Sequence, residues 1–209
     1  MKKAVIITAI LTFIIALLLI YVAFGKENFG LSLIFILLGI GAIGAAIKYT
    51  VGKSAYGYSG FGDVFVFLFF GWVSVVGSNF LFTHFIDWKL FLPATAIGLL
   101  SVAVLNLNNM RDIENDKIAG KNTLVVKMGL AWAKKYQHFL IIMPFILFFV
   151  FSIGINIRFF WSFLVFIFFL KHLEKVRKAT KYEDFDPELK KVALGTFALS
   201  ILFWLSLLF

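Results

Sequence analysis

Long apolar runs separated by short polar stretches dominate the chain. Seven such runs lie at about 4–24, 31–49, 63–83, 91–108, 136–153, 157–172 and 192–209. A run of roughly 18 or more apolar residues predicts a transmembrane helix, because backbone polar groups in lipid must be satisfied within the segment. The pattern therefore predicts an all-α fold, a polytopic bundle of seven transmembrane helices forming a single domain over residues 1–209. The glycines of the second run, Gly39, Gly41 and Gly44, favour close packing against a neighbouring helix.

Composition supports this class. The 209 residues are 62% hydrophobic and include 28 Phe, and the mean hydropathy of +0.98 excludes an ordinary soluble domain. The absence of Cys excludes disulfides and thiol chemistry. The net charge of +9 resides in the short connections, so we expect membrane lipid and no nucleic acid as a partner. The first run is longer than a signal-peptide core and lacks a clear cleavage site, which predicts a retained helix.

The basic residues predict the orientation of the helices. All but three of the 20 Lys and Arg residues fall in alternate connections on one side, and Lys26, Lys89 and Arg158 fall on the other. Cytoplasmic loops carry an excess of Lys and Arg. We therefore expect an integral protein of the bacterial inner membrane, with the N-terminus and the loops 50–62 and 109–135 in the cytoplasm.

The stretch NNMRDIENDKIAGKNT, residues 108–123, carries the densest charge in the chain. Asp112 and Asp116 are four residues apart, so on a continuing helix they share one face at about 5–6 Å. Two carboxylates at that distance repel unless a cation lies between them. Mg²⁺ is the natural candidate, because it is held by one or two carboxylates together with substrate phosphates. Asn108 lies on the same face and offers a carbonyl ligand.

Basic residues in the same stretch suit phosphate. Arg111 offers a planar fork, and Gly120 lets Lys121 turn back towards a bound phosphate. A solvated loop of mixed charge is the competing interpretation. An EF-hand calcium loop is excluded, because it requires Gly and Glu where this chain has Lys117 and Thr123.

A second polar cluster precedes the third run. Tyr49 and Lys53 are four residues apart at the end of the second run, followed by Tyr56, Tyr58 and Asp63. An interfacial aromatic belt with a positive-inside lysine also explains these residues, and Asp63 suits a helix cap. We interpret His84, His138 and His172 as structural or solvated, and the charged stretch 173–191 as a solvated connection.

Together these residues resemble a family. The pattern N-N-x-R-D-x-x-x-D-x-x-x-G-K-x-T-L-x-V-x-x-G, from Asn108 to Gly129, is similar to the second aspartate motif of the UbiA-type membrane prenyltransferases. Tyr49-x-x-x-Lys53 matches a further element of that family. The stretches YGYSGFGDVFVFLFFGWVSVVGS, from Tyr56 to Ser78, and DPELKKVALGT are also similar. Within the family, the residues most resemble the branch that acts on 1,4-dihydroxy-2-naphthoate in menaquinone synthesis.

The resemblance implies a nine-helix fold, a Mg²⁺ cofactor and a reaction. The reaction transfers a polyprenyl group from polyprenyl diphosphate to 1,4-dihydroxy-2-naphthoate with decarboxylation, giving demethylmenaquinone. The implied metal ligands are Asp112, Asp116 and Asn108. Catalytic roles fall to Asp112, Asp116, Tyr49 and Lys53, and substrate contacts to Arg111, Lys121, Asn108 and Asn109.

The sequence departs from the family pattern in one respect. The family's first aspartate motif lies upstream of the residues that match this chain, whereas the first Asp here is Asp63. We therefore expect an N-terminally truncated member with seven of nine helices and weak activity on its own. The alternatives are a homologue that binds lipid or diphosphate without turnover, and a prenyltransferase for another aromatic acceptor such as 4-hydroxybenzoate. A transporter is less favoured, because no charged residue lies deep within an apolar run.

Overall fold

The computed structural model describes residues 2–50, 55–155, 157–206 and 208, and regular structure in these ranges is helical. The α-helices are α1 Lys2–Phe24, α2 Phe29–Thr50, α3 Gly62–Phe67, α4 Ser74–Thr83, α5 Phe91–Arg111, α6 Ile113–Ile118, α7 Leu124–Met128, α8 Leu130–Ile155, α9 Phe166–Lys178 and α10 Phe185–Leu205. A π-helical stretch, Leu68–Val73, joins α3 to α4. Short 3₁₀ segments lie at Tyr56–Tyr58, Trp88–Leu90, Ile157–Val165 and Tyr182–Asp184.

The helices coincide with the seven predicted runs, which confirms the predicted fold class. Within the described residues, five helical spans are long and apolar enough to cross a membrane: Ile6–Phe24, Phe29–Tyr49, Gly62–Thr83, Trp88–Arg111 and Leu130–Gly154. The sixth run forms the 3₁₀ segment Ile157–Val165 and then α9. The seventh lies within α10, whose first turns are polar. The chain is an integral membrane protein.

Helix α5 is the centre of the bundle. It packs against α8, α10 and the α3–α4 span, and its side chains at Ala94, Ala96, Leu100, Ala103 and Leu107 are fully buried. Small residues along this helix let neighbouring backbones approach closely, which is how helices associate without a hydrophobic driving force in lipid. The C-terminal end of α5, which carries the predicted site, therefore belongs to a well-packed helix.

A close contact between helix backbones lies at glycines other than those predicted. A Cβ atom built at Gly71 would lie 2.8 Å from the carbonyl oxygen of Ala94 and 2.9 Å from the Cα of Gly98 on α5. Nothing lies within 4 Å of a Cβ built at Gly39, Gly41 or Gly44. The prediction of close packing at those three residues is wrong, because no other part of the described chain comes within contact distance of their Cβ positions.

Candidate functional site

The segment that carries the predicted metal ligands begins at the end of α5. The amide of Asp112 donates to the carbonyl of Asn108 at 3.0 Å, and the amide of Asp116 donates to the carbonyl of Asp112 at 2.8 Å. Asp112 itself (φ −97°, ψ 10°) ends α5 and precedes α6. The helical spacing thus continues across the break, and the three residues follow one another along one face as their spacing predicts.

Arg111 binds most of the polar groups at this end of α5. Its Nε and Nη2 donate to the two carboxylate oxygens of Asp112 at 2.8 and 2.9 Å, and Nη2 also donates to Asn108 Oδ1 at 2.8 Å. Its Nη1 donates to Asp186 Oδ1 at 2.8 Å. The hydrogen bonds from Arg111 hold the pKa of the Asp112 carboxyl below its ordinary value, so Asp112 stays ionised at neutral pH.

Asp116 pairs with Lys121 rather than with Arg111. The Nζ of Lys121 lies 3.2 and 3.4 Å from its two carboxylate oxygens, and Asp116 is only 7% exposed. Gly120 adopts a positive φ of 69°, and the amide of Lys121 donates back to the carbonyl of Asp116 at 2.8 Å. This turn, which glycine permits without strain, brings the lysine back to Asp116, and its predicted contact with phosphate stays a prediction. Lys121 also acts electrostatically on Asp112, so each carboxylate lies close to a basic group.

The second polar cluster lies beside this segment. The amide of Asn122 donates to the carbonyl of Tyr58 at 2.9 Å, and Lys127 Nζ donates to the carbonyl of Ser59 at 2.9 Å. Tyr49 packs edge-on against Tyr56, with ring centroids 5.5 Å apart. Lys53 lies outside the described residues, so its predicted role stays a prediction.

Asp63 does not cap a helix through its side chain. The N-cap of α3 is Phe61, and the buried Asp63 carboxyl lies near the hydroxyl of Tyr136 on α8, with which it interacts electrostatically. Asp63 therefore faces inward, and a capping pattern in sequence cannot distinguish an inward-facing carboxyl from a cap.

Sequence reasoning missed Asp186 and a buried polar chain. The stretch 173–191 is not a solvated connection, since α10 begins at Phe185 and turns Asp186 towards Arg111 and Glu188 into the bundle. His172 Nδ1 lies 2.9 Å from Glu188 Oε2, and its Nε2 lies 3.2 Å from Gln137 Nε2. Gln137 Oε1 accepts from Asn106 Nδ2 at 2.8 Å, which joins α10, α9, α8 and α5. In the sequence, the spacing of Glu188 and Lys191, three residues apart, could have indicated a helix with an ion pair in this stretch.

The donor set suits a hard cation. Asp112, Asp116 and Asn108 offer only oxygen, and the buried Oδ1 of Asn109 accepts no hydrogen bond from the described residues. Those residues contain no cluster of three or more His, Cys, Asp or Glu side chains suited to a metal. Two carboxylates are nonetheless the usual protein share of a Mg²⁺ site that substrate phosphates complete. The residues therefore fit the cofactor that the resemblance implies.

Comparison with known proteins identifies the family. The profile described as "UbiA prenyltransferase family" matches residues 2–207. The chain is 38% identical over 210 residues to "1,4-dihydroxy-2-naphthoate octaprenyltransferase" of Escherichia coli (strain K12), covering 99% of this chain and 67% of the relative. It is 38% identical over 212 residues to the protein of the same description from Haemophilus influenzae (strain ATCC 51907 / DSM 11121 / KW20 / Rd), covering 100% and 68%. A "UbiA prenyltransferase domain-containing protein 1 homolog" from Drosophila melanogaster is 30% identical over 123 residues, covering 59% and 34%. The search of solved structures gave no significant match.

The chain belongs to the UbiA prenyltransferase family, which confirms the predicted family and a transferase class of enzyme. Members of this family act on prenyl diphosphates and aromatic acceptors in a membrane and generally use a divalent metal ion.

Proposed function

We propose that this protein transfers a polyprenyl group from an allylic polyprenyl diphosphate to 1,4-dihydroxy-2-naphthoate. The allylic C–O bond breaks and diphosphate leaves with the bonding electrons. A new C–C bond forms on the naphthoate ring, the carboxylate leaves as CO₂, and the product is demethylmenaquinone in its quinol form. Both relatives matched over nearly the whole chain are described as octaprenyltransferases for this acceptor.

The observation that carries the proposal is the alternation of acid and base at the end of α5. Arg111 holds Asp112, and Lys121 holds Asp116. A diphosphate needs cations around it, whereas a Mg²⁺ ion needs carboxylates. This segment supplies both within eleven residues.

Each residue then has a role. Asp112, Asp116 and Asn108 would hold Mg²⁺, which when bound supplies positive charge to the departing diphosphate oxygen. Arg111 and Lys121 exchange part of their carboxylate contact for diphosphate oxygens. Asn109 contacts the substrate, and its unpaired amide oxygen can accept a hydrogen bond from it. Tyr49 and Lys53 act on the leaving group from the second polar cluster. The site lies on the cytoplasmic face of a bacterial inner membrane.

The test is product formation by membranes that contain the full chain. They are supplied with Mg²⁺, octaprenyl diphosphate and 1,4-dihydroxy-2-naphthoate, and the prenylated product is measured by liquid chromatography and mass spectrometry. Asp112→Asn should lower the rate by about a hundredfold or more, as removal of a preorganised charge at a reacting centre does. Glu114→Gln is the matched control, because Glu114 lies in the same segment, is exposed and lies outside the proposed donor set.

Two results would contradict the assignment. Prenylation of 4-hydroxybenzoate but not of the naphthoate would overturn the acceptor. Diphosphate binding without product would instead favour the second candidate, a protein of this family that binds without turnover.

A further inference from the structure

A groove between α9 and α10 lies outside the site described above. Its α9 side presents Phe168, Lys171, His172 and Lys175, and its α10 side presents Lys191, Leu194, Gly195 and Ala198. Both sets recur at the three- and four-residue spacing of a single helix face. The groove encloses about 400 Å³, and its floor is formed by the buried side chains of Val165, Phe169 and His172.

The groove has an apolar end and a basic end. Helix α9 runs towards the Asp112 site, so Lys171 and Lys175 lie nearer that end than Phe168 does. Helix α10 runs the opposite way, so Lys191 lies at the same end and Ala198 lies deeper. The contact between Arg111 and Asp186, in the first turn of α10, fixes this as the same side of the bundle as the Asp112 site.

A second, polar cavity continues the groove at its basic end. It holds about 350 Å³ and shares Lys175 and Lys191 with the apolar cavity, adding Lys178, Asp184 and Glu188 among its walls. The two carboxylates in these walls already have hydrogen-bond or ion-pair partners. Glu188 pairs with Lys191 and His172, and Asp184 accepts from the backbone amides of Thr180 and Lys181 at 3.1 and 3.0 Å.

Two lysines of the groove form no salt bridge with the described residues. The salt bridges of those residues involve Lys178 and Lys191 but neither Lys171 nor Lys175, and both of the latter are exposed. Lys175 lines both cavities, and Lys171, one helical turn before it, lines the apolar cavity alone. A ligand that fits this arrangement has an apolar chain and an anionic head.

We propose that the α9–α10 groove binds one anionic phospholipid of the surrounding membrane. One acyl chain lies along Phe168, Leu194 and Ala198, and the phosphate lies between Lys171 and Lys175. The occupant is a phospholipid rather than free phosphate because the apolar cavity opens laterally, where Phe168 and Leu194 are 72% and 68% exposed. Gly195 keeps the groove deep, since a Cβ atom there would lie 2.9 Å from Cζ of Phe169.

Native mass spectrometry of the full chain in a neutral detergent tests this, with no prenyl donor or acceptor present. We expect one tightly bound dioleoyl phosphatidylglycerol per chain and much weaker binding of dioleoyl phosphatidylcholine. Lys171→Gln with Lys175→Gln should weaken phosphatidylglycerol binding by about thirtyfold, the effect of two lysines near an anionic headgroup. The charge-matched control, Lys48→Gln with Lys135→Gln, changes two exposed lysines outside the groove and should bind as the unmodified chain does.

A second variant distinguishes binding in the groove from nonspecific attraction to surface lysines. Ala198→Trp fills the apolar cavity and leaves the lysines in place, so it should also lose phosphatidylglycerol. The proposal is overturned if Ala198→Trp or the Lys171/Lys175 variant binds phosphatidylglycerol as the control does, or if the two lipids bind equally. Displacement of the lipid by inorganic phosphate alone would identify a phosphate site instead and would also overturn it.

Discussion

The contact between the α3–α4 span and α5 makes a quantitative prediction about the scaffold of the site. Gly71→Ala places a methyl group 2.8 Å from the carbonyl oxygen of Ala94 and 2.9 Å from the Cα of Gly98. Both atoms belong to the backbone of α5, so no side chain can rotate away. Relief requires the two helices to separate.

The size of the effect follows from two opposing terms. Overpacking of this kind costs about 1–3 kcal/mol, and the higher helix propensity of Ala returns about 0.5–1 kcal/mol. Gly77→Ala, in the same span, receives the propensity gain alone, because nothing lies within 4 Å of its Cβ position. Since both changes replace Gly by Ala, their effects on the unfolded chain nearly cancel in the comparison.

We therefore expect Gly71→Ala to unfold more easily than Gly77→Ala, by about 2 kcal/mol in the free energy of unfolding. Reversible unfolding in mixed micelles with increasing dodecyl sulfate, followed by circular dichroism, measures this difference. Equal stability of the two variants, or a more stable Gly71→Ala, would refute the close approach of the two backbones.

Two further predictions concern the polar side chains. Tyr136→Phe removes the hydroxyl that interacts with the buried Asp63 carboxyl and should cost about 1–3 kcal/mol in the same unfolding assay, whereas Tyr21→Phe, on an exposed tyrosine, should cost nothing measurable. Equal costs would refute the interaction between Tyr136 and Asp63. Arg111→Lys keeps the charge but cannot reproduce the planar set of bonds to Asp112, Asn108 and Asp186, so kcat/KM for prenyl transfer should fall about ten- to hundredfold. A variant with unchanged kcat/KM would show that the guanidinium geometry is irrelevant to the reaction.

Local spacing accounts for what the sequence predicts well. The seven apolar runs form helices because a segment in lipid must satisfy its backbone hydrogen bonds internally. The spacing of Asn108, Asp112 and Asp116 predicts their common face because helical hydrogen bonds join residues four apart. These features depend on neighbours in the chain.

Long-range packing accounts for what the sequence does not predict. Asp186 reaches Arg111 across 75 positions, and that pairing requires α10 to lie against α5. Gly39 and Gly71 look alike in sequence, yet only Gly71 faces another backbone. Asp63 suits a cap or a buried hydrogen bond equally well until the position of Tyr136 is known.

The most direct test of the account is Mg²⁺-dependent binding of diphosphate by the full chain. Isothermal titration calorimetry with inorganic diphosphate, with and without Mg²⁺, should show binding only with the metal. Asp116→Asn should weaken that binding by about tenfold or more, because a charge-assisted contact contributes about 1.5–3 kcal/mol. Glu114→Gln should leave it unchanged. Binding without Mg²⁺, or equal binding by the two variants, would contradict the claim that Asp112 and Asp116 form the diphosphate site.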